Sequence, residues 1–127
     1  MNIRKSIMTP NKQTVHNYME AFKAIDHEAI LACLTDDVIW HIPGTFTISG
    51  KEAFDKEIEN ENFTGKPIIE VIRMVEENDI VIAEGTVQCK LKDGPILNLV
   101  FCDVFHMQDA KIKQLTSYLM NTAASNH

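Results

Sequence analysis

Ile96–Met107 reads ILNLVFCDVFHM, then come Gln108-Asp109-Ala110 and Lys111–Leu119, KIKQLTSYL. These residues predict a long apolar strand, a tight turn and a second strand. Asp103 sits inside the first strand, after Leu99, Val100, Phe101 and Cys102 and before Val104 and Phe105. An isolated ionised carboxylate is too costly to bury, so Asp103 must be solvated, neutral or partnered. Side chains alternate across a strand, so Asp103 shares its face with Phe101, Phe105 and Met107. Asn98, Val100, Cys102, Val104 and His106 take the other face. Both faces are substantially apolar and both need cover. Helices can cover one, and a second copy of the chain is expected on the other, as a homodimer packed sheet to sheet. Asp103, on the helix side, is expected to line a small-molecule pocket.

Upstream, Pro67–Val75 and Ile80–Lys92 read as strands, separated by a turn at Glu76–Asp79 and followed by the hairpin signal Asp93-Gly94. In the second of them Glu84, Thr86 and Gln88 alternate onto one face, taken as the pocket face. The first half of the chain is helical. Thr9-Pro10 is an N-cap with Pro at the first helical position, and Val15, Tyr18, Met19, Phe22 and Ile25 form one apolar stripe. Asp26 caps a second helix with Ala29, Ile30, Cys33 and Leu34 inward, ended by Asp36-Asp37. Val38–Ile42 is a short strand stopped by Pro43-Gly44. Ser49, with Glu52 three residues on, predicts a capping box for a third helix striped by Phe54 and Ile58. Helices followed by an antiparallel meander predict an α+β domain over residues 10–121, with a lead-in at 1–9 and a tail at 122–127.

The 127 residues amount to one domain. A net charge of −6 leaves no footprint for nucleic acid or an anionic membrane surface. No apolar run approaches the ~20 residues of a membrane span, and the N-terminus lacks the apolar core of a signal peptide. A cytoplasmic location is expected. Cys33, Cys89 and Cys102 are widely spaced and read as free thiols, the last two on outer faces. The histidines His16, His27, His41, His106 and His127 have no metal-ligand spacing, so neither a metal nor another cofactor is expected.

The order and spacing of several motifs together carry a resemblance over about residues 10–121. They are Tyr18-Met19-Glu20-Ala21-Phe22, Asp26-His27-Glu28-Ala29-Ile30, Thr35-Asp36-Asp37-Val38-Ile39-Trp40, Pro43-Gly44, Ser49-Gly50-Lys51-Glu52, Asp103-Val104-Phe105-His106-Met107 and Ala110-Lys111-Ile112. The chain resembles the nuclear transport factor 2-like superfamily, and within it the SnoaL-like and ketosteroid isomerase-like branch. The resemblance implies a cone-shaped fold, with helices packed on a strongly curved antiparallel sheet around an internal pocket. Ala110 departs from the Gly usual in that turn. By analogy with ketosteroid isomerase, Tyr18 takes the oxyanion-hole tyrosine position. Asp103 takes that of the acid kept neutral by an apolar site so that it can donate a hydrogen bond. The general-base position falls on Ile42 and a second tyrosine position on Ile58, so steroid isomerisation by that route is disfavoured.

Limonene epoxide hydrolase-like members use an Asp-Arg-Asp arrangement. Here Ser117 occupies the C-terminal aspartate position and the strand Ile80–Lys92 has no Arg, which disfavours that reaction. SnoaL-type cyclases use a strand aspartate as acid and base, a role open to Asp103. The resulting expectation is a pocket for a small apolar carbonyl-type compound. Asp103, Tyr18 and Glu84 are the candidate catalytic groups of an isomerase or polyketide-cyclase-like enzyme working through an enolate. Trp40, Ile42, Thr86, Gln88, Phe101, Phe105 and Ser117 are the candidate ligand contacts. The alternative is a non-catalytic ligand-binding or dimerisation module of the same fold.

Overall fold

A computed structural model describes residues 8–122. Most of the expected lead-in and tail, and His127, lie outside the described residues. Helix α1 (Pro10–Ala24) is capped by Thr9, whose side chain accepts from the Lys12 N–H, with Pro10 at its start. Its buried face is Val15, Tyr18, Met19 and Ala21. Helix α2 (His27–Leu31) is capped by Asp26, which accepts from the Ala29 N–H. It is shorter than expected. Leu34 begins strand β1 (Leu34–Ile42), so Asp36 and Asp37 lie in a strand and end no helix. A strand not foreseen, β2 (Phe46–Ser49), pairs antiparallel with β1 and uses up Ser49. The cap of α3 (Lys51–Ile58) is therefore Gly50, with no side-chain cap bond, and the expected capping box does not form. Phe54 and Ile58 face the core as the stripe predicts.

Strands β3 (Phe63–Glu77), β4 (Ile80–Leu91), β5 (Ile96–Gln108) and β6 (Lys111–Asn121) form the expected meander. The six strands run in the order β2-β1-β6-β5-β4-β3. The sheet is antiparallel apart from the β1–β6 pair, which is parallel. Two register shifts interrupt β3 against β4, one between Thr64 and Ile68 and one between Val71 and Arg73. Such bulges bend and twist a strand, and here they curl the sheet round the helices. Gly85 stands opposite the second. A Cβ there would lie 2.0 Å from the Glu70 carbonyl oxygen and 3.0 Å from Phe101 Cζ. Only glycine allows that approach.

The hairpin turns of β3–β4 (Asn78, Asp79) and β5–β6 (Asp109, Ala110) have positive φ at both central residues, as a type I′ turn requires. Ala110, at φ 60°, takes this geometry without glycine, and its carbonyl accepts from Thr14 Oγ1 on α1. The core lies between the helices and one sheet face, around Phe54, Phe105, Ile112 and Leu115. His27 ties α2 to α3, with its ring nitrogens on Asp55 and Glu59.

Candidate functional site

Asp103, Phe101, Phe105 and Met107 are all buried on the helix side of β5, as alternation predicts. Across the sheet Asp103 is flanked directly by Ala83 on β4 and Ser117 on β6. Its neighbours on the helix side include Tyr18 of α1. Tyr18, Asp103 and Ser117 together line a chamber of about 110 Å³, with Trp40, Phe101 and Met19. A second, larger chamber of about 530 Å³ adjoins it and reaches Lys66 and Lys90 at the exposed rim. The site thus has a buried carboxyl and phenol at one end and a larger, mainly apolar chamber with a charged rim beside them.

The polar end is wired. Trp40 Nε1 donates to Ser117 Oγ at 3.1 Å. Indole N–H is a donor only, so Ser117 accepts there and keeps its own proton for Asp103. That hydrogen bond lowers the Asp103 pKa, but burial outweighs it and pushes the carboxyl up to about 7. Tyr18 is pushed well above its ordinary value by burial first, then by the Asp103 charge and by Cys33. It stays a phenol at any physiological pH and keeps its proton. Its ring is held by Phe105 (5.6 Å, edge-on), Phe22 and Phe54. Among the described residues no buried side-chain polar atom lacks a partner.

Four of the expected site residues, Glu84, Thr86, Gln88 and Phe105, do not line the pocket. Glu84 pairs with Cys102 across β4–β5 and so lies on the outer face, where Arg73 Nε meets it at 3.1 Å. Thr86 and Gln88 follow it there, opposite Val100 and Asn98, and Gln88 donates to Asn98 at 2.9 Å. The alternation in β4 is real, but its phase is opposite to the one expected. The row facing the pocket side is Ala83, Gly85 and Val87, and small apolar side chains suit a crowded inner surface better than carboxylates do. Phe105 is fully buried behind Tyr18 and supports its ring without lining either chamber. Trp40 lines both chambers, but one of its faces is stacked on Phe54 at 4.5 Å. Cys89 also lies inward, lining the larger chamber, whereas Cys102 is on the outer face as expected.

Ile42 and Phe101 do line the pocket. Ile42 reaches both chambers and Ile58 the larger one, so the two positions that hold polar groups in ketosteroid isomerase are apolar wall here. The residues missed from sequence are Met19, Phe22, Ile69, Val87 and Leu119. Each was visible as an apolar member of an alternating strand or helical stripe, a signal that cannot separate core from pocket wall. Among the described residues no group of three His, Cys, Asp or Glu side chains is placed to hold a metal ion, and no helix is long and apolar enough to cross a membrane.

Helices laid on a curved sheet, with a buried polar group in an apolar pocket between them, define the nuclear transport factor 2-like class. Within it the chain belongs to the SnoaL-like domain family, whose model matches residues 15–115. No curated protein matches significantly. Several solved structures share the fold. An epoxide hydrolase of M. tuberculosis, limonene epoxide hydrolase-like, is 18% identical, with a TM-score of 0.78 over 89% of this chain and 84% of that one. TerC, co-crystallised with polyporic acid, is 22% identical, with a TM-score of 0.78 over 86% of this chain and 90% of that one. A Burkholderia pseudomallei protein of this fold and of unknown function is 22% identical, with a TM-score of 0.80 over 89% and 92%. At these identities the likeness is one of fold.

Proposed function

We propose that residues 10–121 form a cytoplasmic, homodimeric unit that binds a small, partly apolar carbonyl compound. Its oxygen lies against Tyr18, and Asp103 moves a proton on it through an enolate. The observation that carries this reading is a buried carboxyl in a mainly apolar pocket, raised to about 7 by burial and placed beside a phenol that stays protonated. A general acid or base works best when its pKa lies near the operating pH. Ionised Asp103 would take the proton α to the carbonyl, and its electron pair would move to the oxygen as Tyr18 donates a hydrogen bond to it. Asp103 would then return the proton to another carbon, giving a double-bond shift. Alternatively, the enolate carbon would attack a second carbonyl of the same molecule, and Asp103 would protonate the new alkoxide. A preorganised donor such as Tyr18 contributes roughly 3 kcal/mol to such a step.

Epoxide opening by the Asp-Arg-Asp route lacks support, since Ser117 stands in the second carboxylate position and Arg73 lies on the outer face. A second reading is binding without turnover. Apolar Ile42 and Ile58, and the outward Glu84, leave Asp103 as the sole carboxylate among the described residues lining the smaller chamber.

The two readings separate in deuterium oxide. Wild-type protein should accelerate exchange of the α-hydrogens of simple cycloalkanones, followed by proton NMR. Tyr18→Phe and Asp103→Leu should each lower that rate by about 100-fold or more. Ketones that bind with no gain in exchange establish the non-catalytic reading, and exchange that survives both substitutions excludes these residues. The free, unpaired state of Cys33, Cys89 and Cys102 supports a reducing compartment. Self-association is supported by Ile68, Ile72, Tyr118 and Met120, each more than half exposed, on or beside the outer sheet face.

A further inference from the structure

The two chambers differ in size by nearly fivefold and share six lining residues: Phe22, Trp40, Ile42, Ile69, Val87 and Leu119. These six form a collar of wholly apolar character, apart from the Trp40 N–H, which is already committed to Ser117. Everything able to recognise oxygen in the inner chamber (Tyr18, Asp103, Ser117) lies on one side of the collar. On the other side lie about 530 Å³ of mainly apolar space and a charged rim. An apolar cavity of about 150 Å³ holds one benzene ring. The inner chamber, at about 110 Å³, has less room than that. The outer one is in the range of a pocket for a whole drug-sized ligand.

We infer that the collar selects a head-and-tail ligand. The head is an oxygen-bearing group no wider than a single ring entering edge-first, and the tail is an unbranched or flexible apolar chain lodged in the outer chamber. A fused polycycle cannot bring its oxygen to Tyr18 and Asp103, because the second ring meets the collar. Leu119 is the residue that sets the width. It opposes Phe101 on the pocket side of β6, lines both chambers and is exposed enough to be truncated without opening the core. This inference rests on Tyr18 and Asp103 as the oxygen-binding groups, and its test uses a different comparison from theirs.

The test is calorimetric binding of phenols to the wild-type protein: phenol, 4-ethylphenol, 4-butylphenol and 4-hexylphenol, with 2-naphthol matched in carbon number to 4-butylphenol. Affinity should rise roughly threefold per added methylene as the tail fills the outer chamber. 2-Naphthol should bind at least tenfold more weakly than 4-butylphenol, and Leu119→Ala should close most of that gap. Equal affinity for 2-naphthol and 4-butylphenol would overturn the inference. So would a series flat in chain length, or no binding by any member. Tyr18→Phe addresses the other reading. If it leaves every affinity untouched while the chain-length rise persists, the oxygen-binding assignment fails and the collar stands.

Discussion

Asp103 is where this chain departs most from what stability alone would choose. Its folded pKa of about 7 lies above the ordinary 3.8, because burial disfavours the charged form more than the Ser117 hydrogen bond favours it. Between those values the folded state holds a proton that the unfolded state has released. Stability contributed by the neutral acid is therefore full below about pH 4, falls as pH rises towards 7, and stays lost above it. The size is on the order of 4 kcal/mol. Asp103→Asn, which keeps the shape and cannot ionise, should unfold at higher denaturant than wild type at pH 8, with the difference vanishing near pH 4. Equal urea midpoints at pH 8 would mean that Asp103 is not buried as described. A cost of this kind is characteristic of a working site. From sequence, Asp103 was conspicuous because a carboxylate interrupts an apolar strand. Ser117 was noted as a residue standing where a relative has an acid and as a candidate ligand contact. Its link to Trp40 joins residues 77 positions apart and has no local signature.

At the scale of elements, the strands were legible and their phase was not. The β5–β6 hairpin follows from two apolar runs and a two-residue turn, and α1 from its cap and its stripe. Glu84, Thr86 and Gln88 were also seen as one row. A polar row on a sheet covered on both sides carries no local sign of which side it faces, and that is decided by pairing with Cys102, Val100 and Asn98. The early start of β1 at Leu34 depends on Ile112 of β6, a partner far along the chain, and β2 is an edge strand held by β1 alone. Asp36 and Asp37 lie in the irregular stretch of β1, between its Leu34–Ile112 and Ile39–Gln114 pairs with β6, and no local signal marks them as strand rather than helix end. Gly85 shows the same logic in reverse. Its φ is not positive, and what demands glycine is the Glu70 carbonyl of the bulged neighbour. Gly85→Ala should cost roughly 3 kcal/mol in urea unfolding, as overpacking against rigid backbone does. It should also weaken ligand binding by moving Phe101 in the inner chamber. A variant as stable as wild type would contradict the close approach.

For the whole molecule, the sheet has a pocket side covered by helices and an outer side that no other described element covers. On or beside that outer side lie Ile68, Ile72, Val100, Tyr118 and Met120, around an Arg73–Glu84 ion pair. A two-fold dimer would bury both apolar faces at once. Sedimentation equilibrium at micromolar concentration should give twice the 14.4 kDa chain mass, and Tyr118→Lys with Met120→Lys should give the monomer. Wild-type monomer would show that the face serves something else.

The central claim is that Asp103 sits in a dry pocket as an acid poised at neutral pH, and one titration tests it directly. With carbon-13 in the aspartate side chains, and Asp103→Asn to assign the signal, the Asp103 carboxyl should change shift with a midpoint near pH 7. Ser117→Ala should move that midpoint higher, because the hydrogen bond that favours the carboxylate is gone. A midpoint near pH 4, unmoved by Ser117→Ala, would mean a solvated carboxylate, and the proposed acid–base role would fall with it.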